Sequence, residues 1–102
     1  MPTVYVTAPS EDAERLAELV VESRLAACVN RVPTQSTYRW DGEIHHDEET
    51  ILLIKTTGER YDELVSRLLE EHPHDVPCIE RFDADDIEEA FGQWITDVTD
   101  AR

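Results

Sequence analysis

Two β-favouring runs, residues 27–40 and 43–57, meet at Asp41-Gly42, and this pairing limits the possible folds more than any other feature of the chain. Asp-Gly between two such runs marks a two-residue hairpin turn, which needs positive φ at both positions. At about 3.3 Å per residue the hairpin is roughly 40 Å long. A domain of 102 residues does not cover an arm of that length, so one end must project and find a partner. Pro33 interrupts the first arm, which implies a bulge or a sheet edge. The second arm starts polar, with His45-His46-Asp47-Glu48-Glu49, and turns apolar through Ile51-Leu52-Leu53-Ile54. That unalternating run leaves no polar face, so the sheet needs cover on both sides.

The other segments alternate strand and helix. Thr3-Val4-Tyr5-Val6-Thr7-Ala8 reads as a first strand ended by Pro9. Ser10 is placed to cap a helix, with Glu11, Asp12 and Glu14 in its first turn. Ala13, Leu16, Ala17, Val20 and Val21 recur at the spacing of one buried helix face, and that helix ends near Ser23 or Arg24. A second helix follows Gly58, with Tyr61, Leu64, Val65, Leu68 and Leu69 on one face and Pro73 as its stop. Residues 78–82 form a short strand. Asp85 with Glu88 is a capping box for a last helix that buries Ile87, Ala90, Phe91, Trp94, Ile95 and Val98. The order is βαββαβ plus a C-terminal helix. It predicts an α+β, ferredoxin-like sandwich over residues 1–102 as a single domain, with two helices on one sheet face. Right-handed crossovers give the strand order four-one-three-two. The terminal helix, a neighbouring subunit or both must cover the other face.

Nine Lys and Arg stand against 24 Asp and Glu, for a formal charge of −15, and Lys55 is the sole lysine. Excess carboxylate with scarce lysine is the surface expected in concentrated salt, where the screening length falls to roughly 3 Å at about 1 M. The plainer account is an acidic protein from ordinary salt. No Lys/Arg cluster offers a face to a phosphate backbone, which argues against nucleic acid. No stretch approaches the roughly 20 apolar residues of a membrane span, and no charged segment leads into an apolar run as in a signal peptide. A cytoplasmic protein is expected. Cys28 and Cys78 make no disulfide framework, which agrees with a reducing compartment.

Thr7-Ala8-Pro9, Leu25-Ala26-Ala27-Cys28-Val29-Asn30, Tyr38, Trp40, Gly42, Ile54-Lys55-Thr56, His72-Pro73, Pro77 and Trp94 are specific as a set. Across essentially the whole chain they resemble the CutA family of divalent-cation tolerance proteins. The resemblance implies a ferredoxin-like fold assembled as a homotrimer through the long hairpins. It also implies a part in tolerance of copper and other divalent cations. The chain departs from the family pattern where His74 replaces a tyrosine after His72-Pro73, and where Cys78 follows Pro77 in place of glutamate. Residues 83–94 also lack the family's glycine and tyrosine pattern.

Four constellations bear on chemistry. His72-Pro73-His74-Asp75-Val76-Pro77-Cys78 holds imidazole, carboxylate and thiol within one stiff loop, a donor set suited to copper or zinc. The metal candidates are His72, His74 and Cys78; the structural alternative has His72 ending a helix and Cys78 packing as a small strand residue. In an extended arm His45, Asp47 and Glu49 share one side and His46 and Glu48 the other, a weak cation site or simply a solvated acidic arm. Cys28 follows the helix-to-strand junction; it is a soft ligand if its thiolate is accessible and a packing residue otherwise. Tyr38, Trp40, Lys55 and Cys28 are candidates for a cleft or interface, with Lys55 able to meet a buried carboxylate or an anion and the aromatics able to serve as packing alone.

No nucleophile elbow, phosphate-binding glycine loop or zinc-protease motif occurs in a chain with 3 glycines. The acidic segment after the first strand disfavours an acylphosphatase-like anion loop. The expected function is that of a non-enzymatic, trimeric metal-response protein. The alternative is a small-molecule sensor or regulatory module resembling the trimeric PII-type signalling proteins and binding at the subunit cleft, by analogy of fold alone.

Overall fold

The hairpin sets the shape of the molecule. The computed structural model describes residues 1–100. Its elements are β1 (Pro2–Pro9), α1 (Ser10–Glu22), β2 (Cys28–Trp40), β3 (Glu43–Lys55), α2 (Tyr61–Glu71), β4 (Ile79–Asp83) and α3 (Glu89–Val98). β2 and β3 pair without a bulge from Cys28 opposite Lys55 to Trp40 opposite Glu43. Asp41 at φ 52° and Gly42 at φ 77° turn the chain in the left-handed region, as a two-residue primed turn requires. The longest axis is 45 Å, close to the length of the arms. The radius of gyration, 14.2 Å, exceeds the roughly 13 Å of a compact chain of about 100 residues.

All strand pairs are antiparallel, in the order β2-β3-β1-β4. This is the expected order read from the other edge, and Pro33 lies on an edge strand as anticipated. Val4, Val6 and Ala8 of β1 and Leu52 and Ile54 of β3 form a core with Ala13, Leu16 and Val20 of α1 and Leu64 and Leu68 of α2. The opposite face carries Tyr5, Thr7, Ile51 and Leu53, each half-buried.

The α1–β2 junction is held by crossed backbone bonds. Arg24 N–H donates to Val21 O at 3.1 Å and Leu25 N–H to Val20 O at 3.0 Å, with Arg24 at φ 60°. This is the left-handed helix ending in which glycine is usual. Arg24 accepts the conformation and sends Nη1 to the Val98 carbonyl at 3.2 Å, tying α1 to the end of α3. Ala27 N–H donates to Lys55 O at 2.8 Å, and the buried Thr56 hydroxyl donates to Leu25 O at 2.7 Å.

Helix starts and the last helix differ from expectation. Pro9 belongs to β1 and occupies the cap position of α1 without a side-chain cap. Ser10 is the first helical residue, and its hydroxyl accepts from Thr50 Oγ1 at 3.2 Å. Asp85 forms no capping box. Glu88 itself caps α3, accepting from Ala90 N–H at 3.0 Å and Phe91 N–H at 2.9 Å. Of the face expected to be buried, only Ile95 is fully so, and Gly92 takes the adjoining buried place. A side chain at Gly92 would meet Ile87 and Met1. Phe91 and Trp94 stack on one another, exposed, with centroids 5.8 Å apart. Leu69 of α2 is exposed as well. β4 begins at Ile79, so Cys78 lies just before it.

Candidate functional site

Register aligns the candidate residues on the sheet face away from α1 and α2. Ile51 pairs with Thr7 on one side and Val32 on the other, Glu49 with Pro9 and Thr34, and further out Asp47 faces Ser36 and His45 faces Tyr38. Toward the other end, Thr3, Lys55 and Cys28 form one row. Six residues of strand separate the Glu49 and Lys55 rows, about 20 Å. The four cleft candidates therefore split into two pairs: Tyr38 with Trp40, and Lys55 with Cys28.

The loop after α2 closes over the first pair. His72, buried at the C-cap of α2, donates Nε2–H to Thr7 O at 2.8 Å and accepts His74 N–H on Nδ1 at 3.1 Å. Those bonds tether the loop to β1 and occupy both ring nitrogens of His72. The His74 ring lies 5.0 Å from the His72 ring, centroid to centroid. A cavity of about 630 Å³ opens between this loop and the hairpin, with His74, Asp75 and Cys78 on one wall and Tyr38, Trp40 and Glu49 on another. Its size is that of an ordinary small-ligand pocket, about 300–1,000 Å³.

The Tyr38 hydroxyl donates to Asp47 Oδ2, and its ring stacks on His45 at 5.4 Å. Asp47 raises the Tyr38 phenol above its ordinary value, through that hydrogen bond first. His46 Nδ1 meets Thr37 Oγ1 at 3.2 Å and His45 Nε2 donates to Trp40 O at 3.3 Å, so both arm histidines are engaged within the hairpin. Burial pushes the Cys78 thiol up, against hydrogen bonding from Thr7, and the thiol lies 3.8 Å from Glu80 Oε1. Burial likewise raises the Cys28 thiol, with Lys55 pulling the other way. Neither cysteine is an activated thiolate in this setting. Lys55 donates to Thr3 Oγ1 at 3.1 Å rather than to a carboxylate.

Among the described residues no three His, Cys, Asp or Glu side chains converge to hold a metal ion. His72, His74 and Cys78 therefore do not close a ligand set within one chain, and His72 acts as the anchor of the loop. The residue that sequence reasoning undervalued is Glu49. It is 7% exposed, and its Oε2 is buried with no hydrogen-bond partner among the described residues. The available signal was phase: Glu49 alternates with Ile51 and Leu53, so it continues their face of the sheet.

The family described as CutA1 divalent ion tolerance protein matches residues 2–98. The chain belongs to that CutA1 family. The divalent-cation tolerance protein CutA of Pyrococcus horikoshii is 38% identical over 100 residues, covering 97% of this chain and 98% of that protein. The periplasmic divalent cation tolerance protein CutA of Archaeoglobus fulgidus superposes with a TM-score of 0.93 at 34% identity, over 98% of this chain and 100% of that one. The PII-like protein CutA of a Nostoc species, in apo form, superposes with a TM-score of 0.95 at 29% identity over 100% of both chains. The family and the Pyrococcus horikoshii relative carry the name of divalent-cation tolerance proteins rather than of enzymes. No helix among the described residues is long and apolar enough to cross a membrane.

Proposed function

We propose that this CutA1-family chain acts without catalysis as a homotrimeric, cytoplasmic divalent-cation response protein of the copper type, adapted to high salt. The observation that carries the metal reading is the loop after α2. His72 spends both nitrogens holding it, which leaves the His74 imidazole and the Cys78 thiol on the wall of a cavity beside Glu49, Asp75 and Glu80. Imidazole and thiolate suit copper or zinc, and carboxylates concentrate a divalent cation around them. One chain supplies two soft donors, so the remaining coordination must come from carboxylate, solvent or a neighbouring subunit. Titration of the chain with copper and zinc tests this. His74→Ala and Cys78→Ser should each weaken copper binding at least tenfold, and unchanged affinity in both variants overturns the metal site.

A second reading, a PII-like small-molecule sensor, is favoured by one observation: the cavity of about 630 Å³ exceeds what a bare ion needs. The fit to a protein named PII-like supports it. Titration with common nucleotides beside the metals separates the two readings.

A further inference from the structure

We infer that the cavity between the hairpin and the loop after α2 is a site for a small organic cation, with Glu49 as its counter-ion. The inference rests on the small-molecule reading and names the ligand class. A carboxylate that is 7% exposed, with one oxygen buried and unpartnered, is costly to leave unmatched. Burial favours a charge only when it is paired and hydrogen-bonded. Among the described residues the matching charge is absent. No cation of the described residues pairs with Glu49: the ion pairs are made by Arg15, Arg60 and Arg81 with other carboxylates, and Lys55 is committed to Thr3.

The walls decide between kinds of cation. Glu49 itself is not met by a ready-made metal ligand set, since among the described residues of one chain no three His, Cys, Asp or Glu side chains converge, and the copper site proposed above rests on His74 and Cys78 on the facing wall. A buried carboxylate on the same face as aromatic rings suits one positive charge spread over carbon-bound hydrogens. Tyr5, Tyr38 and Trp40 all line the cavity, and aromatic faces attract quaternary and alkylated ammonium groups, Trp most strongly. Tyr38 is braced for this by its hydroxyl bond to Asp47 and its stack on His45. Asp75 and Glu80 line the same space and repel an anionic ligand. The volume admits a body of several heavy atoms, well above one ammonium head.

The test uses the full, assembled chain in the Trp94→Phe background, so that Trp40 is the only tryptophan reporting. Tetramethylammonium, tert-butanol and pivalate provide cationic, neutral and anionic probes of similar bulk, titrated at one fixed potassium chloride concentration. Tetramethylammonium should quench or shift Trp40 emission saturably, and the other two should not. Glu49→Gln should weaken tetramethylammonium at least tenfold, and Tyr38→Leu several-fold. Calorimetry on Trp40→Leu should show a comparable several-fold loss. Circular dichroism and light scattering on each variant separate lost binding from lost fold. Saturable binding of pivalate or tert-butanol instead overturns the cation class while the small-molecule reading stands. Silence of all three probes overturns both. Equal tetramethylammonium affinity in Glu49→Gln, or a Glu49→Gln chain that falls apart into subunits, overturns Glu49 as the counter-ion of a free ligand; the second result assigns it to a neighbouring copy's cation. His74 lines the same cavity, so the copper titration of His74→Ala is run without tetramethylammonium and read separately.

Discussion

The two ends of the sheet obey different rules. Where α1 and α2 cover β1 and the inner half of β3, Val4, Val6, Leu16, Leu52, Ile54, Leu64 and Leu68 are all fully buried, and this half closes on itself. In the outer half of the hairpin Tyr38, Trp40 and Ile44 are between 37% and 51% exposed, no helix covers either face, and the outer edge of β2 has no neighbouring strand. The inner end has the pattern of a finished core. The outer end is a polar arm that nevertheless exposes three large apolar side chains, Tyr38, Trp40 and Ile44, which is how a chain marks a place to be filled from outside. The cavity with Glu49 lies where these two regions meet.

The largest effects belong to the inner end. Leu52→Ala removes a side chain with no exposed surface and should cost about 2–5 kcal/mol in urea unfolding. Ile44→Ala, at 51% exposure, should leave the circular-dichroism spectrum unchanged and show its cost only as weaker assembly on dilution. Comparable destabilisation of the dissociated chain by both variants would erase the contrast. Thr56→Val strips the buried donor to Leu25 O at the α1–β2 junction and should cost about 1–3 kcal/mol, the range for a buried acceptor left unpaired.

Much of the inner half is legible from residue order alone. The 3.6-residue period picks out Ala13, Leu16, Ala17 and Val20 of α1 and errs only at Val21, which is exposed, and Asp41-Gly42 gives the hairpin its turn and register. α3 is where the period misleads. It ranks Phe91 and Trp94 by hydrophobicity, but the helix turns Gly92 and Ile95 inward, with Gly92 set against Ile87 and Met1. Fit against distant residues leaves no mark on a periodic pattern. The same holds at the site. His74 and Cys78 announce themselves by type, whereas Glu49 sits in an acidic run and is set apart only by what covers it. The hydrogen bond from His72 to Thr7 links residues 65 positions apart, beyond the reach of any local motif.

Acid and alkali should separate the two ends further. The amides of Ala90 and Phe91 hold the Glu88 carboxyl below its usual range, and Arg81 does the same for Asp83. A carboxyl lowered by folding adds stability above its ordinary value and loses it as pH falls through the folded one. The α3 end should therefore loosen in acid, seen as faster hydrogen exchange at Ala90 and Phe91. Tyr38 is raised instead, so its contribution is full below the ordinary phenol value and is lost as pH rises through the folded one. The hairpin should loosen in alkali. Loosening of both ends on the same side of neutrality breaks the scheme. Both effects are small, because these groups are solvent-exposed and the Arg81 pair is screened by salt.

The mildest lever is salt. At about 0.01 M the screening length is near 30 Å, comparable with the 26 Å and 45 Å extents of the chain, so the net charge of −15 repels across the whole particle. The thermal midpoint should climb steadily from low to molar potassium chloride. A flat profile contradicts a surface adapted to salt.

The most direct test of an outer hairpin built for other copies of the chain is the mass of the particle in solution. Multi-angle light scattering at micromolar concentration and molar potassium chloride should give about three times the 11.7 kDa chain, and Ile44→Ala should lower that mass on dilution. A stable particle of 11.7 kDa would contradict the account.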